Sequence, residues 1–187
     1  MTGALGVSTT LLAWLGTAIV AVSDGRRGFA LGLSLTGIGL AGVALLAGDP
    51  PAAVALLASG GLGAAAFRLR DGPSGWGILP PGSTPRIILS LLALAAGAFV
   101  GVSLTGGPGA LGRVAPLAVC GLGIARLVSA DRRVAAVAAA SAMSLGLGMM
   151  GGLAAQAAGA AVAVALSAAP AAGTVPRAVA ETTDAGE

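Results

Sequence analysis

Charge in this chain is sparse and almost absent from its long apolar stretches. Between Gly28 and Arg68 the only charged residue is Asp49, between Arg86 and Arg126 it is Arg113, and from Val134 to Pro176 there is none. Soluble domains carry roughly 25% charged residues, against 9% here. So few charges cannot cover a globular surface in water, whereas lipid needs no such cover. A bilayer core about 30 Å thick takes about 20 apolar residues per helical span. The 187 residues hold six or seven such spans with almost nothing left for a soluble catalytic domain. The expected fold class is all-α: a polytopic transmembrane helix bundle with lipid as its first partner.

Seven spans are expected, at about 6–22, 28–47, 51–68, 86–105, 110–128, 134–148 and 152–169. Asp49 before Pro50 and Pro51 is a helix start signal, because the carboxylate caps free N–H groups and proline fits the first turn. Ser83-Thr84-Pro85 repeats that pattern, and Gly106-Gly107-Pro108-Gly109 reads as a turn. The first segment has no basic residue before Leu11 and its arginines follow the apolar run, so it reads as a retained helix rather than a cleaved signal. The longest internal break, Arg68 to Arg86, holds three of the ten arginines, four of the ten prolines and Trp76. It is expected as a cytoplasmic loop over 69–85. Val134 to Ala169 as one helix would be about 54 Å long, too long for a bilayer core. It is therefore divided at Gly146–Gly152, with one long tilted helix, and hence six spans, as the alternative. The tail 170–187, rich in Ala, Pro, Thr and acids, is expected to be disordered.

The arginines set the orientation. Arg26 and Arg27 follow segment one, Arg68, Arg70 and Arg86 follow segment three, and Arg126, Arg132 and Arg133 surround the link after segment five. Alternate links are basic, as the positive-inside rule requires of a polytopic protein. The basic links are thus expected in the cytoplasm and the N-terminus outside, in the cell (inner) membrane.

Several chemistries find no support. All basic residues are arginine, placed at helix ends without a continuous patch, so nucleic acid is not an expected partner. Histidine is absent and Cys120 is alone, which leaves no intrachain disulfide and no cysteine cage for a metal. Gly37-Ile-Gly39-Leu-Ala-Gly42 and Gly146-Leu-Gly148-Met-Met-Gly151 match a dinucleotide fingerprint in spelling only, since neither follows a strand. No acid lies inside an apolar run, so a proton pathway through a buried carboxylate is not expected. The interior polar candidates are Gln156 and the hydroxyls of Ser34, Thr36, Ser59, Ser90, Ser103, Ser141 and Ser144. Such hydroxyls mostly bond to the preceding turn or a neighbouring helix. No cofactor and no catalytic group are expected.

Two patterns remain. Gly28/Gly32, Gly97/Gly101 and Gly148/Gly152 are small residues four apart, a spacing that lets helix backbones approach closely in lipid. They serve packing within this chain or against partner subunits, including a second copy. Aspartate also recurs beside arginine in the links: Asp24 with Arg26 and Arg27, Arg70 with Asp71, and Asp131 with Arg132 and Arg133. One reading is helix capping and charge balance. The sharper reading is a headgroup or phosphate site at the membrane face, with arginine on the anion and aspartate on a metal. Trp76 suits an interfacial anchor or a docking loop. The segments 54–65 and 114–125 are similar, as in a parallel internal repeat or by coincidence of composition. The functional expectation is a non-enzymatic accessory or scaffolding subunit of a larger inner-membrane complex. A small transporter or channel component for a neutral or apolar solute is the alternative. A lipid-modifying enzyme that uses the Asp/Arg pairs comes third.

Overall fold

The computed structural model describes residues 2–70, 75–76, 84–105, 110–130 and 132–168. Nearly all of them are helical. Helix α1 spans Thr2–Val22, α2 Arg26–Leu46, α3 Pro50–Arg70, α4 Thr84–Thr105, α5 Ala110–Val128, α6 Arg133–Met149 and α7 Leu153–Ala168. A helix therefore occupies each of the seven apolar segments. Three of them, α1, α2 and α3, are long and apolar enough to cross a membrane. Helices α6 and α7, at about 25 Å each by their rise, are shorter. The expected loop 69–85 is described only at Leu69, Arg70, Gly75, Trp76 and its helical end, and the tail 170–187 lies outside the described residues.

The joint between α2 and α3 shows why the chain turns where it does. Gly48 has a φ of +83°, which only glycine adopts without strain. Its N–H bonds the carbonyl of Leu45, while the N–H of Asp49 reaches back to Ala44, both at 3.0 Å. This is a Schellman closure of α2. Asp49 then caps α3, its carboxylate accepting from the N–H of Ala52 at 3.2 Å ahead of Pro50 and Pro51 in the first turn. In α3 the backbone between Ala55 and Gly63 is π-helical. The long apolar remainder breaks at Met150–Gly152, and α6 and α7 fold back on each other as two helices.

The seven helices form two layers and a connector. Helix α2 packs between α1 and α3, and α6 packs between α5 and α7. Across the layers α1 meets α5, α2 meets α6 and α3 meets α7, while α4 lies outside against α5 and the edge of α1. This arrangement explains the two Gly-x-Gly pairs. Residues two apart on a helix point in nearly opposite directions, so each pair serves two neighbours of a central helix. A Cβ on Gly39 would lie 2.6 Å from Ala13 Cα in α1, while one on Gly61 in α3 would lie 2.8 Å from Gly37 Cα. Likewise Gly146 faces Pro116, Val119 and Cys120 of α5, and Gly148 faces Gln156 and Gly159 of α7. The similar segments 54–65 and 114–125 hold unlike places: α3 is the last helix of its layer and α5 the first of the other.

Side-chain size runs opposite to the pattern of a water-soluble bundle. Among the described residues the interior is mostly Ala, Gly, Ser and Thr, with Phe29, Leu33, Leu40, Leu56, Leu122 and Leu145 as its largest members. Large apolar groups such as Leu5, Leu11, Ile88, Leu91, Leu92, Phe99 and Leu153 face outward. In lipid, outward leucines cost nothing and close helix contact depends on small residues.

Candidate functional site

Two arginines expected at the membrane face are instead buried where the layers meet. Arg126, in the last turn of α5, is 2% exposed. One terminal nitrogen lies 2.5 Å from Asp24 Oδ1 and donates to the carbonyl of Ser23 at 3.1 Å. Asp24 follows α1, so this bridge ties the end of α5 to the end of α1 across 102 residues of sequence. Arg68, in the last turn of α3, is also buried and donates to the carbonyl of Ser167 at the end of α7. Each arginine closes one cross-layer pair at the same end of the bundle. A cation near a helix C-terminus also meets the negative end of the helix dipole.

The other charged residues divide into three groups. Arg27, Arg70, Arg132 and Arg133 are exposed and Arg26 is half-buried. Arg86 is the third residue of α4, within its first turn, but its side chain is not among those described. Asp71 and Asp131 lie outside the described residues, so of the three aspartates only Asp24 is placed. The structure pairs it with Arg126, a partner from another helix, rather than with Arg26 or Arg27 beside it in sequence. Among the described residues no three His, Cys, Asp or Glu side chains gather as a metal site would require.

The expected packing glycines divide as well. Gly32 faces Gly16 and Val20 of α1, with a Cβ placed 2.7 Å from Gly16 O. Gly28 sits against Ser23 and the backbone of Trp76. Gly97 lies against Ala118 of α5, at 3.2 Å or more from its backbone, and Gly148 lies against α7. Gly101 is within α4, but its surroundings are outside the described residues. Gly152 departs from the expectation: it is exposed in the α6–α7 turn with nothing within 4 Å of a Cβ. The partner of Gly148 is Gly159 on the facing helix, whose Cβ would lie 3.0 Å from Gly148 Cα.

The interior hydroxyls do not converge. The Thr17 and Thr36 hydroxyls meet across α1 and α2 at 3.1 Å, each also within hydrogen-bond reach of the carbonyl one turn before it. Ser141 and Ser167 join across α6 and α7 at 3.1 Å. Ser144 bonds back to the carbonyl of Ser141, and Trp14 of α1 donates to the carbonyl of Ser90 in α4 at 3.2 Å. Ser34 is half-buried, Ser103 is exposed, and the side chain of Ser59 is not described. Gln156 is 6% exposed, and its amide oxygen has no hydrogen bond among the described residues. A cleft of about 10 Å³ between α1, α4 and α5 is lined by Leu89, Ser90, Leu122, Arg126 and Ser129. It has room for about one water.

The central loop touches this end of the bundle. Gly75 has a φ of +105°, its carbonyl accepts from the N–H of Arg27 at 3.3 Å, and a Cβ on Gly25 would lie 2.6 Å from Gly75 O. The backbone at Gly75–Trp76 is thereby seated on the start of α2, while the Trp76 side chain is half exposed.

Sequence reasoning missed both buried arginines, the threonine pair and this seat. One signal was present: Arg126 and Arg68 lie within the last apolar turn of their helices, whereas Arg132 and Arg133 lie in a link. The chain was compared with protein families, with curated proteins and with solved structures, and no match was found in any of the three.

Proposed function

We propose that this chain is a non-enzymatic, seven-span integral membrane protein, N-terminus outside and arginine end in the cytoplasm, that serves as an accessory or scaffolding subunit of a larger inner-membrane assembly. The observation that carries the reading is the separation of the interior hydroxyls into distinct helix seams, with no shared cavity for a solute among the described residues. Small residues pack the chain's own helices against one another, and others, such as Ala154, Ala155, Ala157, Ala158 and Ala161 of α7, stay exposed. The outward apolar side of α4, with Ile88, Leu91, Leu92 and Phe99, remains for lipid or a neighbouring subunit. The test is a mild-detergent pull-down of the tagged chain from its own membranes, with mass spectrometry of what accompanies it. Stoichiometric membrane partners support the proposal. A chain that elutes alone, or only with copies of itself, overturns it.

A second reading, a small carrier of a neutral solute, rests on Gln156. A buried amide oxygen without a partner, beside a π-helical neighbour, is the kind of group a polar solute would satisfy. Solute flux into vesicles that Gln156→Leu abolishes would favour it.

A further inference from the structure

Among the described residues, the arginine end carries more positive charge than the acids there neutralise. Helices α2 and α6 are adjacent, and the Asp24–Arg126 bridge joins the ends of the helices that precede them, so both start at the same end. Arg26 and Arg27 open the first, while Arg132 and Arg133 open the second. Neither helix has an acid in its first turn, and neither has a side-chain cap. A helix N-terminus already bears partial positive charge and favours acids there, so four arginines at two such ends run against local preference. Asp24, the described acid nearest in sequence, is turned to buried Arg126. The side chains of Arg27, Arg132 and Arg133 are exposed and hold no hydrogen bond or ion pair among the described residues. The nearby cleft between α1, α4 and α5 is too small for a headgroup, so the ligand must lie on the surface.

We infer that Arg27, Arg132 and Arg133, with Arg26 beside them, form a contact surface for anionic phospholipid headgroups of the leaflet at that end. Guanidinium groups bind phosphate oxygens through paired N–H donors. The Arg126–Asp24 bridge acts by position: it holds the end of α1, and with it the start of α2, against the end of α5 and the link to α6. This inference rests on the membrane reading above. It needs no aspartate and no metal, unlike the phosphate site that the sequence suggests.

The test uses the full chain in nanodiscs of equal phosphatidylglycerol and phosphatidylcholine, with retained lipids counted by native mass spectrometry. Wild type is expected to retain phosphatidylglycerol in excess of its bulk share, less so at high salt. A basic residue at an anionic surface is worth about fivefold in binding, so R27Q/R132Q/R133Q is expected to lose most of that excess. Arg113→Gln, an exposed arginine at the other end of α5, is the control expected to keep it. Equal retention of the two lipids by wild type overturns the inference. So does an excess unchanged in the triple variant, or salt-sensitive capture of an acidic protein in place of lipid. Carbonate extraction of the chain from native membranes is read separately: release there refutes the membrane reading itself.

Discussion

Gly39→Ala places one methyl group where α1 and α2 are closest. The new Cβ would stand 2.6 Å from Ala13 Cα and 2.8 Å from its Cβ. Carbon atoms rest at about 3.5–4.0 Å, so the helices must part by about 1 Å. Backbone and Cβ atoms have no rotamer by which to yield. Overpacking of this kind costs about 1–3 kcal/mol. One turn away the Thr17–Thr36 bond, 3.1 Å long, would stretch with the separation. A hydrogen bond between membrane helices is worth about 0.6 kcal/mol. Alanine's helix preference over glycine returns up to about 1 kcal/mol. The net expectation is a loss of about 1–3 kcal/mol, read as a shift in the midpoint of denaturation in mixed micelles followed by circular dichroism. Gly3→Ala is the matched control, since it adds the same methyl group to α1 with nothing within 4 Å. Equal stability of Gly39→Ala and Gly3→Ala would refute the close α1–α2 seam.

Asp24→Asn removes a carboxylate from buried Arg126. It is expected to destabilise by about 3 kcal/mol, the low end for breaking a buried pair, because Asp24 is 27% exposed. A double-mutant cycle with Arg126→Gln checks this, and additive single effects would show that the two groups do not interact. Asp49→Ala should cost about 1 kcal/mol through loss of the α3 cap, measurable in the same unfolding assay. Ser141→Ala together with Ser167→Ala should cost no more than Ser141→Ala alone, because the bond that the Ser167 hydroxyl makes to Ser141 is already lost in that change.

The helices were legible because each apolar run ends at a residue with a mechanical reason to end it. Gly48, Asp49 and Pro50 close one helix and open the next within three positions. Gly151 and Gly152, with no charge or proline beside them, still marked the break between α6 and α7. What the sequence did not carry was the pairing of helices distant in the chain. Nothing local to Arg126 announces Asp24 as its partner, and nothing local to Arg68 announces Ser167. The glycine patterns were visible, but their meaning depended on which helices are central. Gly39 and Gly146 became interpretable once α2 and α6 were seen to have neighbours on two sides, and Gly152, equally well spaced, touches nothing.

Seven crossings with the arginine end in the cytoplasm are tested most directly by single cysteines. In a Cys120→Ala background, Ala47→Cys, Leu69→Cys, Arg132→Cys and Gly152→Cys each place one thiol at an exposed position near a helix end. The reagent is a membrane-impermeant maleimide applied to intact spheroplasts. The proposed topology requires labelling at positions 47 and 152 in intact spheroplasts, and at 69 and 132 only after permeabilisation. Labelling at 69 or 132 without permeabilisation, or protection at 152, would contradict it.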